Sequence, residues 1–198
     1  TLTTTVDDIS KQGVKSIPVV GDVTDEKALS SIYNEISDKL GPVDILVNNA
    51  GGSLSKADIT GLSLTEFKET FELNLFSSLQ MMKLSLPHMR NQKWGRIINI
   101  SGGNARNAGN LSGGARNVSM VHLTKTLSNQ VGQFGITVNC IHPGTTRTER
   151  TASLLEARAQ QLGVTPEEAE RQDFAPNSPR GNAICRMVDA SEVGFLTA

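Results

Sequence analysis

The stretch "VDILVNNAGG", residues 43–52, decides the fold. It is an almost continuous apolar run that ends in polar and small residues, the last two of them Gly51 and Gly52. Such a run is typical of a strand that is buried on both faces in a parallel sheet. Ligands of α/β proteins bind at the carboxyl ends of such strands, so the residues that close this run are candidate site residues.

Short apolar runs alternate with amphipathic stretches on both sides of residues 43–52. We predict four neighbouring parallel strands, which are residues 16–22, 43–49, 95–101 and 135–142. The periodicity predicts helices at residues 24–41, from Ser63 to about Arg90, and at 117–134, 151–161 and 165–172. This alternation predicts a three-layer, doubly wound α/β sheet in one domain that spans residues 1–198.

The composition excludes several classes of partner. A formal net charge of -1 with one Trp and one Tyr offers neither a basic face nor stacking rings, so we expect no nucleic acid partner. No apolar run approaches the ~20 residues of a membrane span. Cys140 and Cys185 have the spacing neither of metal ligands nor of a disulfide framework. We therefore expect a cytoplasmic protein that binds no metal and does not enter a membrane.

Five blocks carry a resemblance to a known family. They are "GDVTD", "VDILVNNAGG", "FELNLFSSLQMMKLSLPHM", "GRIINIS" and "GITVNCIHPGTTRT". In this order and spacing they resemble the short-chain dehydrogenase/reductase family, over residues from about 14 to 150. The resemblance implies a Rossmann-type fold and an oxidoreductase that passes a hydride between NAD or NADP and a small alcohol or carbonyl substrate. The sequence names neither the substrate nor which of the two dinucleotides is used.

The same resemblance assigns residues to the cofactor. Asp22 and Val23 would lie beside the adenine, although Asp22 could equally cap the helix behind it. The backbone would approach the cofactor most closely at a turn with Gly51, and the Thr148 hydroxyl would meet the nicotinamide amide. The full set of implied cofactor positions is Asp22, Val23, Asn49, Ala50, Gly51, Pro143, Gly144 and Thr148.

The glycine-rich turn that cradles the pyrophosphate in this family has no counterpart in the sequence. Residues 1–13 resemble the tail of the family's second helix, so the first two strands and that turn would precede residue 1. The last strand of the family would follow residue 198. We therefore expect the sequence to be a fragment of the full fold.

The family's catalytic serine, tyrosine and lysine are replaced. Counting back from the strand at 135–142 places Gly113 at the tyrosine position and Asn117 at the lysine position, and Gly102 takes the serine position. The only tyrosine of the chain is Tyr33, in the predicted helix 24–41. Asn74 matches the family's remaining asparagine, which kinks its helix. The resemblance thus implies a scaffold that has lost its proton chemistry.

Arg116 stands one residue before the lysine position. It could bind ribose, phosphate or an acidic ligand, or it could be solvated or form an ion pair between helices. Two function classes stay open: an NAD(P)-dependent oxidoreductase that takes its proton from elsewhere, and a non-catalytic member that binds a dinucleotide or acidic ligand or serves as a partner subunit. A third reading is a fragment with no function.

The resemblance also implies an oligomer. In this family, the helix from Ser63 and the helix at 117–134 form the contact between subunits. The second helix carries apolar side chains outside its main stripe, namely Val118, Met120 and Val121. In a monomer these side chains would be exposed to solvent. We expect a homodimer or homotetramer built through a symmetric contact.

Overall fold

A computed structural model of the chain describes residues 2–52, 54, 57–178 and 181–198. The chain divides into two compact units, of which the first ends at Ile141 and the second begins at His142. One domain over residues 1–198 stays a prediction. Within the described residues, no helix combines the length and the apolar character needed to cross a membrane.

The first unit contains a three-stranded parallel sheet in the order β1-β2-β3. Its strands are β1 (Ile45–Asn48), β2 (Gly95–Ile100) and β3 (Ile136–Ile141). Its helices are α1 (Leu2–Ser10), α2 (Glu26–Leu40), α3 (Leu64–Phe71), α4 (Ser77–Gln92) and α5 (Leu111–Val131), and a π-helical segment, Glu72–Phe76, joins α3 to α4. Three of the four predicted strands are confirmed, and they are parallel neighbours as expected. The predicted helices of this unit are also confirmed, except that α5 begins at Leu111, six residues before the predicted start at 117.

The predicted strand at residues 16–22 is wrong. These residues form no strand, and the side chain of Val20 is 84% exposed. A strand exists only where a neighbouring backbone completes its hydrogen-bonded ladder. No segment in the described part of the chain pairs with residues 16–22, so the apolar pattern alone does not make them a strand.

The burial of β1 also differs from the prediction. Leu46 is buried, but Ile45 is 55% exposed and Val47 is 44% exposed, so only one face of this strand is covered. Leu46, Ile97 and Val138 lie side by side in the strand register and form that face. The core on this face adds side chains from α4 and α5, namely Met82, Met89, Leu127 and Val131. Because both helices pack on the Leu46 face, the opposite side chains of β1 remain exposed.

Side chains fix the starts of the helices that lead to and from the sheet. The Asp25 carboxylate caps α2 by accepting hydrogen bonds from the backbone N–H groups of Lys27 and Ala28, at 2.8 and 3.3 Å. The Ser63 hydroxyl caps α3 by accepting a bond from the Glu66 N–H at 3.4 Å. The cap of α2 is therefore Asp25, and the reading of Asp22 as a helix cap is wrong.

The second unit contains a short parallel pair, β4 (Thr146–Arg147) with β5 (Val188–Asp189). Its helices are α6 (Thr151–Leu162), α7 (Pro166–Asp173) and α8 (Ala190–Thr197). The Arg158 guanidinium joins α6 to α7 through an ion pair with the buried Asp173, Nη2 to Oδ1 at 2.9 Å. The helices predicted at 151–161 and 165–172 are confirmed.

Candidate functional site

A chain of buried polar side chains joins the carboxyl ends of β1 and β2 to α5. Asn48 donates from Nδ2 to Asn99 Oδ1 at 2.8 Å, and Asn99 donates from Nδ2 to Thr124 Oγ1 at 2.9 Å. All three side chains are buried. Satisfied buried networks of this kind rigidify the elements they connect. The sequence analysis missed Asn48 and Asn99, although each is an uncharged polar residue near the carboxyl end of an apolar strand.

Asn74 clamps the turn that follows β1. It lies in the π-helical segment and is buried. Its Nδ2 donates to the carbonyls of Gly52 and Thr70 at 2.8 and 2.6 Å, and its Oδ1 accepts the N–H of Gly52 at 2.9 Å. Both polar backbone groups of Gly52 are therefore held by one side chain. The π-helical turn stands where the resemblance places a kinked helix.

Gly51 lies so close to this clamp that no side chain fits. A Cβ built on Gly51 would collide with Asn74 Oδ1, whereas one built on Gly52 would meet only Leu73 Cδ2, at 4.0 Å. The two glycines thus have different reasons to be present. Gly51 permits the close approach of backbone and amide, and Gly52 supplies the backbone groups that the amide holds.

Three of the predicted cofactor positions meet in one place. Val23, Asn49 and Ala50 line a cavity of about 220 Å³ between the end of β1 and the segment before α2. Asp22 stands next to Val23, and its carboxylate accepts bonds from the N–H and the hydroxyl of Thr24 at 2.8 and 2.7 Å. These bonds lower the pKa of the Asp22 carboxyl, because they stabilise its charged form.

The positions that match the family's serine and lysine lie against each other. Asn117 is 3% exposed, and a Cβ built on Gly102 would lie 2.9 Å from its Nδ2. The amide of Asn117 therefore occupies the space that a side chain at position 102 would enter. Its Oδ1 is buried and accepts no hydrogen bond from the described residues.

The tyrosine position is the third residue of α5. Asn110 caps this helix, and its Oδ1 accepts the Gly113 N–H at 2.7 Å and the Ser112 hydroxyl at 2.9 Å. A Cβ built on Gly113 would lie 3.0 Å from that same Oδ1. A side chain at 113 would press on the helix cap, and the one tyrosine of the chain, Tyr33, lies on α2 instead.

The Ser101 hydroxyl and the Cys140 thiol, which lie near Gly102 and Asn117, also form hydrogen bonds. Ser101 donates from Oγ to the Asn117 carbonyl at 3.3 Å. Burial raises the pKa of the Cys140 thiol, and hydrogen bonds with Thr124 and Ser101 oppose that rise only in part. A partly buried thiol of raised pKa is a poor acid at neutral pH. Neither group replaces the missing phenol.

Arg116 points from α5 to the Asn74 clamp. Its Nη1 donates to Asn74 Oδ1 at 2.7 Å, and its Nε is buried without a hydrogen-bond partner among the described residues. Burial lowers the pKa of the guanidinium because it removes water from the charge. The alternative of an ion pair between helices is wrong for the described part of the chain, where no carboxylate pairs with Arg116. The side chain is partly buried rather than fully solvated.

The remaining predicted cofactor positions lie in the second unit, where Pro143 and Gly144 precede β4. The Gly144 carbonyl accepts a bond from the Thr146 hydroxyl at 3.1 Å. The Thr148 N–H donates to Thr151 Oγ1 at 2.8 Å at the start of α6, and both threonines line a cavity of about 490 Å³. The contact of Pro143, Gly144 and Thr148 with a cofactor stays a prediction.

Comparison with known proteins identifies relatives of the chain. A family model described as short chain dehydrogenase matches residues 1–159. The chain is 32% identical over 149 residues to a 3-oxoacyl-(acyl-carrier-protein) reductase of Aquifex aeolicus, covering 74% of this chain and 60% of the relative. It is 32% identical over 158 residues to a 7alpha-hydroxysteroid dehydrogenase of Escherichia coli, covering 79% of this chain and 61% of the relative. The chain therefore spans about three fifths of the length of these two relatives.

Solved structures show the fold. L-sorbose reductase from Gluconobacter frateurii, complexed with NADPH and L-sorbose, matches with a TM-score of 0.87 at 22% identity, over 99% of this chain and 74% of that one. A xylitol dehydrogenase bound to NAD⁺ matches with a TM-score of 0.83 at 21% identity, over 99% of this chain and 76% of that one. The fold of the chain is the Rossmann-type α/β fold that the sequence predicted.

Proposed function

This chain belongs to the short chain dehydrogenase family. From that premise we propose that the protein is an NAD(P)-dependent oxidoreductase whose proton-transfer site is degenerate. The observation that carries the proposal is the contrast between Asn74 and Asn117. Asn74 holds the turn after β1 in a fully bonded arrangement, whereas Asn117 fills the place of the family's lysine with a neutral amide.

Binding of a nicotinamide dinucleotide is supported by the end of β1. Val23, Asn49 and Ala50 line a cavity beside the Gly51 turn, and none of these contacts uses the side chains that the catalytic positions have lost. The two solved structures named above hold NADPH and NAD⁺, respectively. We propose NAD or NADP as the cofactor and a small alcohol or carbonyl compound as the substrate.

Slow chemistry is supported by the residues at the catalytic positions. A positioned general acid contributes roughly 10²–10⁴ in rate, and preorganised hydrogen-bond donors at the carbonyl oxygen contribute at least as much. Gly102, Gly113 and Asn117 supply neither a phenol nor an ammonium. We expect hydride transfer to ordinary ketones to be far slower than is typical of the family.

A second candidate is a member that binds a dinucleotide without catalysis, or a partner subunit of an active enzyme. The packing of Asn117 against Gly102 favours it, because this arrangement fills the space of the serine instead of leaving it open to a substrate. A member that binds a dinucleotide without catalysis differs from the first candidate only in turnover, so one set of measurements separates these two.

The test is calorimetric titration of the full-length protein with NADH and NADPH, followed by reductase assays on a panel of simple ketones. We expect binding of at least one dinucleotide and slow or absent turnover. Binding with no turnover on any substrate would favour the second candidate. Absence of binding to both dinucleotides would refute the whole proposal, and turnover at the family's usual rate would refute the degenerate site.

Assembly belongs to the same proposal. Val118 is 52% exposed and Val121 is 37% exposed on α5, which supports a homodimer or homotetramer built through this helix. Met120 does not contribute, since it is buried in the monomer, contrary to the expectation from the sequence. Light scattering of the full-length protein at micromolar concentration should show a dimer or larger, and a monomer would contradict this part.

The free cysteines Cys140 and Cys185 support a cytoplasmic location.

A further inference from the structure

The guanidinium of Arg116 is a partly buried positive charge whose only described partner is neutral. Its Nη1 is held by Asn74 Oδ1 at 2.7 Å, while its Nε is buried and makes no hydrogen bond to the described residues. The guanidinium stays charged at neutral pH even when burial lowers its pKa. Buried charges in proteins are ordinarily paired, so this one lacks a counter-charge.

The single bond to Asn74 leaves the Nη2 nitrogen of the guanidinium available. Nη1 is engaged and Nε is buried, whereas Nη2 is not buried and bonds to no part of the chain that the structure describes. The N–H groups of Nη2 can donate to the oxygens of a carboxylate or phosphate, and the charge of the guanidinium strengthens such bonds. Asn74 is itself fixed by three bonds to backbone groups, so it holds the guanidinium in a set orientation.

The guanidinium of Arg116 lies beside the candidate site. A Cβ built on Gly51 would lie 4.0 Å from Arg116 Nη1, so the charge stands against the turn that follows β1. Position 117, which matches the family's lysine, is the next residue along α5. A ligand group that reaches Arg116 would therefore lie close both to the turn after β1 and to the position that matches the family's lysine.

We propose that Arg116 binds an oxyanion of the ligand in this site, a carboxylate or a phosphate, so that the substrate class is acidic alcohols or carbonyl compounds. This inference rests on the proposed function, because it places the oxyanion in the site of an NAD(P)-dependent oxidoreductase. It requires no proton transfer by Arg116. The residue anchors the substrate through its charge and through hydrogen bonds donated by Nη2.

The test compares Arg116→Gln with Arg106→Gln, which removes the same charge from an exposed arginine in the loop before α5. The full-length protein is titrated calorimetrically with acetoacetate, with its uncharged analogue 2,4-pentanedione, and with inorganic phosphate. We expect acetoacetate or phosphate to bind the unmodified protein and Arg106→Gln equally well, and Arg116→Gln at least about 10-fold more weakly. The affinity for 2,4-pentanedione should not differ among the three proteins.

The arms distinguish the source of the oxyanion. Preference for acetoacetate indicates a carboxylate substrate, and preference for phosphate indicates a phosphorylated one. Arg116→Lys keeps the charge without the planar guanidinium and should bind with intermediate affinity. Circular dichroism verifies that each variant is folded. Equal binding to Arg116→Gln, or no binding of either anion to the unmodified protein, overturns the inference.

The same proteins are titrated with NADH and NADPH without added acid. Failure of the unmodified protein to bind either dinucleotide defeats the proposed function, whereas failure of the anion arm alone defeats only the role of Arg116. A loss in Arg116→Gln that is equally large for the dinucleotides and for phosphate would mean that the oxyanion belongs to the cofactor, and it would overturn the assignment to the substrate.

Discussion

Two places in the first unit each set a glycine against an asparagine, and they differ in what the asparagine does. At the end of β1, the amide of Asn74 lies against Gly51, and both of its polar atoms are hydrogen-bonded. At the end of β2, the amide of Asn117 lies against Gly102, and its Oδ1 has no partner among the described residues. Both polar atoms of the first amide are bonded, whereas the second amide keeps a buried acceptor that no described residue bonds.

The difference separates the scaffold from the chemistry. The Asn74 clamp acts on backbone groups of Gly52, so it works whatever side chains stand at the catalytic positions. Asn117 stands where the resemblance expects a lysine, and its buried Oδ1 forms no hydrogen bond with a described residue. A member of this family can therefore keep the first arrangement for its fold and ligand site while the second changes.

The largest effect should come from rebuilding the second pair. The triple substitution Gly102→Ser, Gly113→Tyr and Asn117→Lys restores the hydroxyl, the phenol and the ammonium together. We expect ketone reduction by the full-length protein to rise by on the order of 10²-fold or more, the contribution of a positioned general acid. Initial rates with NADH and NADPH on the ketone panel measure it.

The control for the triple variant is Gly113→Tyr alone. An unassisted phenol keeps a pKa near ~10 and donates poorly at neutral pH, so this variant should gain little. Its side chain would also press on Asn110, since the Cβ would already lie 3.0 Å from the Asn110 Oδ1. Equal gains from the single and triple variants would show that the ammonium and hydroxyl are not what the site lacks.

The next largest effect should separate the two asparagines by stability. Asn74→Ala leaves both polar groups of Gly52 and the Arg116 guanidinium without their partner, and each unsatisfied group costs about 1–3 kcal/mol. We expect a loss of about 3 kcal/mol in the free energy of unfolding, measured by urea denaturation.

Asn117→Ala is the matched change in the other pair. It removes an Oδ1 that bonds to no described residue, so the loss should stay below about 1 kcal/mol. Similar losses for Asn74→Ala and Asn117→Ala would mean that the two amides are equally well bonded in solution, and the comparison would fail.

A third measurement concerns the two glycines of the turn after β1. The Cβ of Gly51→Ala would collide with Asn74 Oδ1, and overpacking of this kind costs about 1–3 kcal/mol, so we expect a loss of about 2 kcal/mol. Gly52→Ala adds a methyl group that meets only Leu73, at 4.0 Å, and should change stability little. Urea denaturation of both variants decides the matter, and a larger loss for Gly52→Ala would contradict the close approach at Gly51.

The sequence predicted the part of this molecule that local pattern determines. Apolar runs indicated the three parallel strands, and the capping residue Ser63 indicated the start of α3, because both signals lie within a few residues of the element they specify. The start of α5 was predicted at 117, although the helix begins at Leu111. Residues 16–22 carry the same apolar pattern without becoming a strand, because pairing depends on a partner that pattern does not show. The exposure of one face of β1 was unpredictable for a similar reason, since the burial of a strand face depends on which helices pack against it.

The candidate site divides in the same way. Motif spacing selected Gly51, Asn74, Gly102 and Asn117 as candidate site residues, and their roles stay a prediction. Motif spacing did not show that Asn74 holds both groups of Gly52, nor that Arg116 turns to Asn74 and forms no described ion pair. The first contact joins residues that are 22 positions apart in the sequence, and the second joins residues that are 42 positions apart. Only the fold brings such residues together.

The smallest expected effect tests whether Gly102 and Asn117 form one coupled unit. The Cβ of Gly102→Ser would lie 2.9 Å from Asn117 Nδ2, so the buried amide must shift, and we expect a loss of about 1 kcal/mol in the free energy of unfolding. Gly103→Ser is the matched control, because a Cβ there meets nothing within 4 Å. In the double variant Gly102→Ser with Asn117→Ala the amide is absent, so the serine should fit at almost no cost. Urea denaturation of the four proteins of this cycle gives the coupling, which should be favourable by about 0.5–1 kcal/mol, as for residues in direct contact. Additive losses would mean that the two positions are independent, and the glycine would then have to be explained without the asparagine.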